Sequence, residues 1–154
     1  MDLATQFERR AIRAQTIRRF VGGFFLTMGG INAGIVFAGP HSYQHFADGA
    51  YLGFVTEHWN DIVMADPAFW GLLLAAGEIL LGSLLLHDGP AARIGWVGVI
   101  AFHVLLTLFG PGIWLWCIPA LAVLVAAARA DWPQLVGRTV DKPAAERVSA
   151  HGHD

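Results

Sequence analysis

Four stretches of the chain are almost uninterruptedly apolar: residues 20–38, 68–86, 94–109 and 113–128. A helix rises about 1.5 Å per residue and a bilayer's hydrocarbon core is about 30 Å thick, so the first two stretches can cross it unaided. The last two are shorter and need flanking residues to complete the crossing. A short polar turn follows the second stretch, at residues 87–93, and a tight Phe-Gly-Pro-Gly turn the third, at residues 109–112. The pattern predicts an all-α membrane protein, an up-down-up-down bundle of four transmembrane helices with an amphipathic outer loop. That loop, residues 39–67, is too long to be structureless in so compact a chain. Pro40 suits the first turn of a helix and Gly49 its end, while Tyr51, Phe54, Val55, Trp59 and Ile62 fit a second, amphipathic helix capping the bundle.

The spans carry their own internal patterns. Gly30 and Gly34 make a GxxxG spacing that permits close approach of another helix. Gly71, Ala75, Glu78 and Gly82 fall at i, i+4, i+7 and i+11, a stripe of small residues around one acid that should face the bundle. Pro119 predicts a kink in the fourth span.

Composition sharpens this picture. The 154 residues are 55% hydrophobic and 14% charged, with mean hydropathy +0.51, which fits one membrane domain without a second soluble module. All ten Lys and Arg lie before the first span, in the turn after the second, or after the fourth. The positive-inside rule then places both termini in the cytoplasm. Trp59, Trp70, Trp114 and Trp116 are expected at the outer interface, Trp96 and Trp132 at the inner one. Residues 1–19 hold Arg9, Arg10, Arg13, Arg18 and Arg19 and predict a basic amphipathic helix on the inner membrane surface, or a positive flank that only orients the first span. Either reading accounts for these arginines without nucleic acid. Residues 129–154 predict a cytoplasmic segment ending in a disordered tail from residue 141. No cleavable leader is expected, because a long Arg-rich segment precedes the first apolar run. The single cysteine, Cys117, excludes a CxxC pair and reads as a small buried hydrophobe. No GxSxG, Walker, HExxH or dinucleotide pattern is present, which argues against an independent hydrolase or nucleotide enzyme.

Candidate chemistry centres on Glu78. A carboxyl in mid-span is costly and is found facing a bundle interior, a partner or a water path. Asn32, Glu78 and His103 fall roughly 9 to 15 Å below the outer boundary at helical rise, close enough in depth to share one cavity. Glu78 and His103 form a candidate catalytic, proton-sharing pair, with Asn32 and Trp114 joining them as candidate cofactor-binding residues. The competing reading is that these groups hydrogen-bond helices together, typically worth about 1 kcal/mol each. A second candidate lies outside, where His41, His45 and Asp48 recur at i, i+4 and i+7, with His58 and Asp61 further on. One helical face bearing them could ligate Zn or Cu; the alternative is a set of interfacial polar residues. The tail pair His151 and His153 is a third, weaker set.

Several of these segments resemble the DoxX family of small four-span bacterial membrane proteins. The resemblance runs over residues 18–133: Arg18-Arg19 leading into a Gly-rich span, a Pro-aromatic outer loop, the segment AAGEILLGSLLLHDGPAAR, and a third span opening IGWVGVIAFH. Its most specific piece is Glu78 followed by the LLGSLLL run. The resemblance implies the bacterial inner membrane and a redox context, since one relative is a subunit of thiosulfate:quinone oxidoreductase and others accompany oxidative-stress or thiol-redox complexes. The expected role is the membrane subunit of a quinone-linked redox system, with Glu78 exchanging protons and a partner redox protein or bound metal supplying electrons. Metal-ion or proton transport through the outer histidines, and a non-catalytic scaffold recruiting a soluble partner, remain open beside it. So does a homo-oligomer.

Overall fold

A computed structural model describes residues 3–150, with side chains placed for Gln6, Arg9 and residues 12–136. Five helices follow in order: α1 (Leu3–Ala38), α2 (Gly53–His58), α3 (Pro67–Leu86), α4 (Pro90–Leu106) and α5 (Pro111–Ala150). Four segments are long and apolar enough to cross a membrane: Ile12–Ala38, Pro67–Leu86, Pro90–Phe109 and Pro111–Val136. They pack α1 on α3, α3 on α4, α4 on α5 and α5 back on α1, the four-helix bundle expected. Each span is longer than the apolar run that announced it. Helix geometry simply continues through the polar flanks.

Helices in lipid gain little from burying apolar surface against one another, so close fit must hold them. The fit between α1 and α3 is the tightest in the bundle. Ala14, Arg18, Gly22, Phe25, Gly29, Asn32 and Val36 of α1 are buried, spaced by fours and threes, and Pro67, Gly71, Ala75, Glu78, Gly82 and Leu85 of α3 repeat that rhythm. The small-residue stripe around Glu78 therefore faces the bundle, as its spacing implied. Backbones touch at its glycines. A Cβ on Gly82 would lie 2.7 Å from the Gly22 carbonyl oxygen, and one on Gly29 would lie 2.8 Å from the Ala75 carbonyl oxygen. The GxxxG pair does not make this contact: Gly30 and Gly34 are exposed, with no neighbour among the described residues within 4 Å of a notional Cβ. They lie off the face of α1 that meets α3.

α3 is defined at both ends by side chains. At its start Asp66 accepts from the Phe69 N–H at 3.1 Å, with Pro67 in the first turn. At its end Arg18 of α1 donates through Nη1 to the carbonyls of Leu85, at 3.0 Å, and His87, supplying the cation that a helix C-terminus favours. The same guanidinium pairs with Asp88 through Nη2 and lies with Nε 3.0 Å from Asp131 Oδ2 of α5. Asp131 also accepts from Trp96 Nε1 of α4 at 2.9 Å. One buried knot thus ties all four spans at one end. It corrects two expectations: Arg18 is a core residue rather than only part of a charged flank, and Trp96 is fully buried rather than interfacial.

The termini differ from expectation as well. Residues 3–19 are not a separate surface helix but the first turns of α1, because nothing between Arg13 and Phe20 breaks the helix. α5 continues past residue 141 to Ala150, through the good helix formers Ala144, Ala145, Glu146 and Arg147. His151 and His153 lie outside the described residues. At the opposite end from the knot, residues 40–43 form one 3-10 turn, followed by further turns to residue 49, α2, and a wide helical turn at residues 59–63. Phe46 stacks on Trp59 at 5.3 Å, and both rings meet Phe109. There Gly110 has φ 95°, and a Cβ on it would strike the Gly49 carbonyl.

Replacing Gly82 by Leu should separate α1 from α3 and cost about 1–3 kcal/mol, the usual penalty for overpacking. Gly30→Leu, off that face, should leave thermal stability in detergent unchanged. Equal losses in thermal unfolding of the two variants would contradict this packing.

Candidate functional site

The bundle brings Asn32 from α1, Glu78 from α3 and His103 from α4 to its interior, at 8%, 5% and 4% exposure. Asn32 Nδ2 donates to Glu78 Oε2 at 2.7 Å. The other end of the amide is engaged too, since Asn32 Oδ1 accepts from the Tyr43 hydroxyl at 2.9 Å. Tyr43 is positioned in turn by Trp59, whose Nε1 donates to the Tyr43 carbonyl at 3.0 Å, and by Gly71, where any Cβ would press on the phenol ring. A chain of hydrogen bonds therefore runs from the cap down to a carboxyl about 17 Å along α3 from its first residue, Pro67. It fixes Glu78 through one oxygen. No partner among the described residues bonds Oε1.

His103 is held similarly. Its Nδ1 lies 2.8 Å from the Val99 carbonyl one turn back. A carbonyl only accepts, so Nδ1 carries a proton in this contact, which leaves Nε2 as the ring's other polar atom. Rings of Phe25, Phe102 and Trp116 surround it, with centroids 5.7 to 5.9 Å away. Cys117 is buried, as expected, its thiol against the His103 carbonyl at 3.1 Å.

A cavity of about 330 Å³ opens beside Glu78 and Asn32. Its walls are Met28, Phe102, Leu105, Trp116 and other apolar side chains, and Tyr43, Phe46 and Trp59 close it toward the cap. A smaller space of about 60 Å³ continues from it, lined by both Glu78 and His103. The acid and the imidazole thus face one hollow. They are not hydrogen-bonded to each other, and each keeps one polar atom uncommitted.

Trp114 does not join them. It donates through Nε1 to the Thr107 carbonyl at 2.6 Å and meets Tyr51 at the outer turn. Trp116 takes its place, because residues two apart on a helix point roughly 200° apart. The outer metal set is not assembled either. His45 Nδ1 and Asp48 Oδ2 are 2.8 Å apart, both exposed, whereas His58 bonds the Phe54 carbonyl. The cap helix that would have aligned His41, His45 and Asp48 on one face is a 3-10 turn followed by irregular turns, and among the described residues no three His, Cys, Asp or Glu gather in metal-binding fashion. Sequence does not single out Tyr43, Met28, Phe102 or Trp116 as site residues. The position of Phe102 beside His103 was the available signal for one of them.

No protein-family model matches the chain, and neither a curated protein nor a solved structure is significantly similar to it. Fold and site together define a multi-pass all-α membrane protein with a buried carboxyl facing an intramembrane cavity.

Burial pushes the Tyr43 phenol above its ordinary value, and the nearby Glu78 carboxylate raises it further. The folded state therefore holds this proton more tightly than the unfolded state. Its contribution to stability is complete below about pH 10, the usual phenol value, and is lost as pH rises beyond it. The chain has two tyrosines. In a Tyr51→Phe variant, ultraviolet titration should show a phenol midpoint above that of free tyrosine; a midpoint at or below the free value would contradict the half-buried Tyr43–Asn32 contact.

Proposed function

We propose that this protein is a membrane subunit of a quinone-linked redox system, binding the quinone ring in the cavity beside Glu78. The observation that carries the reading is a carboxyl with one oxygen fastened by Asn32 and the other free, on an aromatic-walled hollow. A quinone ring is a flat apolar body with two carbonyl oxygens, and such a hollow suits it. Reduction to the quinol consumes two electrons and two protons. A partner redox protein supplies the electrons. Glu78 delivers a proton to one carbonyl oxygen, and the Asn32 N–H supports the carboxylate left behind. His103, with Nδ1–H engaged by Val99, offers Nε2 as a donor to the second oxygen when protonated and as an acceptor from the quinol hydroxyl when neutral. In the reverse direction the same groups collect the protons.

The resemblance of residues 18–133 to DoxX proteins supports this role. The same resemblance supports a bacterial inner-membrane location, and the distribution of cations supports both termini in the cytoplasm. The competing use of Glu78, Asn32 and His103 as helix-joining groups accounts for the Asn32–Glu78 bond but not for the cavity or the uncommitted atoms.

Equilibrium binding of a benzoquinone to the protein in lipid nanodiscs tests the proposal. Glu78→Gln, which keeps the shape but cannot exchange a proton, should weaken binding about tenfold, about 1.4 kcal/mol for a charged or proton-donating hydrogen bond. Glu57→Gln in the cap should change nothing. Unaltered affinity in Glu78→Gln, or no binding by wild type, would overturn it.

A further inference from the structure

A ring held at Glu78 has to come from somewhere, and the spaces around His103 show a route. The small hollow shared by Glu78 and His103 has Phe24, Phe25, His103 and Trp116 in common with a third space, a groove of about 350 Å³ along the outside of the bundle between α1 and α5. The groove reaches past Phe20, Ala120 and Val123, of which Phe20 and Val123 are largely exposed. From Trp116 to Leu124 it follows about 12 Å of α5, away from the cap. Cavity, hollow and groove thus form a continuous series from the carboxyl to lipid.

The seam that the groove occupies is built to open. α1 meets α5 over far less of its length than it meets α3, without the glycine contacts that lock α1 to α3. Two half-exposed rings, Phe24 and Trp116, stand between the groove and the hollow. Among the described residues neither ring is tied by a hydrogen bond, so neither is fixed against rotation. The rival opening lies beside Trp70, Gly71 and Leu73, a space of about 270 Å³. It touches neither Glu78 nor His103, and its wall includes Trp59, which is pinned by the Tyr43 carbonyl and by stacking on Phe46.

We propose that the α1–α5 groove is a lateral doorway from the bilayer and the seat of a hydrocarbon tail: the ligand is a tailed, membrane-dissolved molecule whose polar ring passes Phe24 and Trp116 to Glu78 while its alkyl or isoprenoid chain stays along α1 and α5. The inference rests on the quinone reading of the Glu78 cavity and adds the class of molecule and its path. Lipid is as apolar as the groove, so the tail gains little by lying there. The groove selects by shape.

Equilibrium binding of two probes to the protein in nanodiscs, a tailless methoxy-substituted benzoquinone and its decyl derivative, tests this. Ala120→Trp, which fills the groove, should weaken the decyl compound severalfold and leave the tailless ring unchanged; Leu73→Trp, on the rival opening, should affect neither. A decyl chain ending in a photoreactive diazirine should label residues 20–24 and 120–124, a readout on wild type that does not depend on any variant folding. Labelling at Leu73 or the cap, loss of decyl binding in Leu73→Trp instead of Ala120→Trp, or equal groove labelling by a ringless alkyl diazirine would overturn the doorway. Failure of the tailless ring to bind wild type would instead remove the quinone reading beneath it.

Discussion

The hydrogen bond from Asn32 to Glu78 is possible only because α1 and α3 touch backbone to backbone. Gly22 against Gly82 and Gly29 against Ala75 bring the helices together, and the polar pair lies in the same contact face. In hydrocarbon an unpartnered carboxyl costs several kcal/mol, whereas an interhelical hydrogen bond returns about 1 kcal/mol. One bond from Asn32 therefore does not by itself account for an acid at this depth. The packing of the small-residue stripe supplies the cohesion, and the acid is carried within it. Such a cost is tolerated where the group has work to do.

The two ends of the bundle are built on different principles. At the end away from the cap Arg18 joins α1 to the end of α3, to Asp88 and to Asp131, and Trp96 closes on the same aspartate, so every span contributes to one dense polar knot. Buried ion pairs are weak contributors to stability but effective at fixing which partners meet. Here the knot sets the relative height of four helices. The half beneath the cap is different: aromatic rings of the cap and of α4 and α5 stand around a cavity, and among the described residues Glu78 and His103 are each hydrogen-bonded through one side-chain atom. A bundle clamped at one end can keep a hollow at the other without the helices sliding to fill it.

Much of this was legible in the chain. Hydropathy located the four spans, and the 4-3-4 spacing of Gly71, Ala75, Glu78 and Gly82 named the buried face of α3. Counting helical rise put Asn32, Glu78 and His103 within a few ångströms of one another in depth, and the structure sets them around two adjoining spaces, Asn32 and Glu78 on the larger and Glu78 and His103 on the smaller. What escaped the sequence depends on rotation about a helix axis, which local spacing does not fix. Gly30 and Gly29 are adjacent, yet only Gly29 meets α3; Trp114 and Trp116 are two apart, yet only Trp116 lines the cavity. Arg18 looked like its four neighbouring arginines because its acceptors come from residues far along the chain. The outer histidines suggested a ligand set only under the assumption of a helix that the loop does not form.

Whether Glu78 is a working carboxyl or mere helix cement is decided most directly by a lipid-soluble carbodiimide, which reacts with protonated carboxyl groups reached from the membrane. With the protein in nanodiscs, peptide mass spectrometry should find the adduct on Glu78, diminished when benzoquinone is present. Glu78 left unmodified while acids of the cap such as Glu57 or Asp61 react would show a sealed structural contact, and the account given for the cavity would fail.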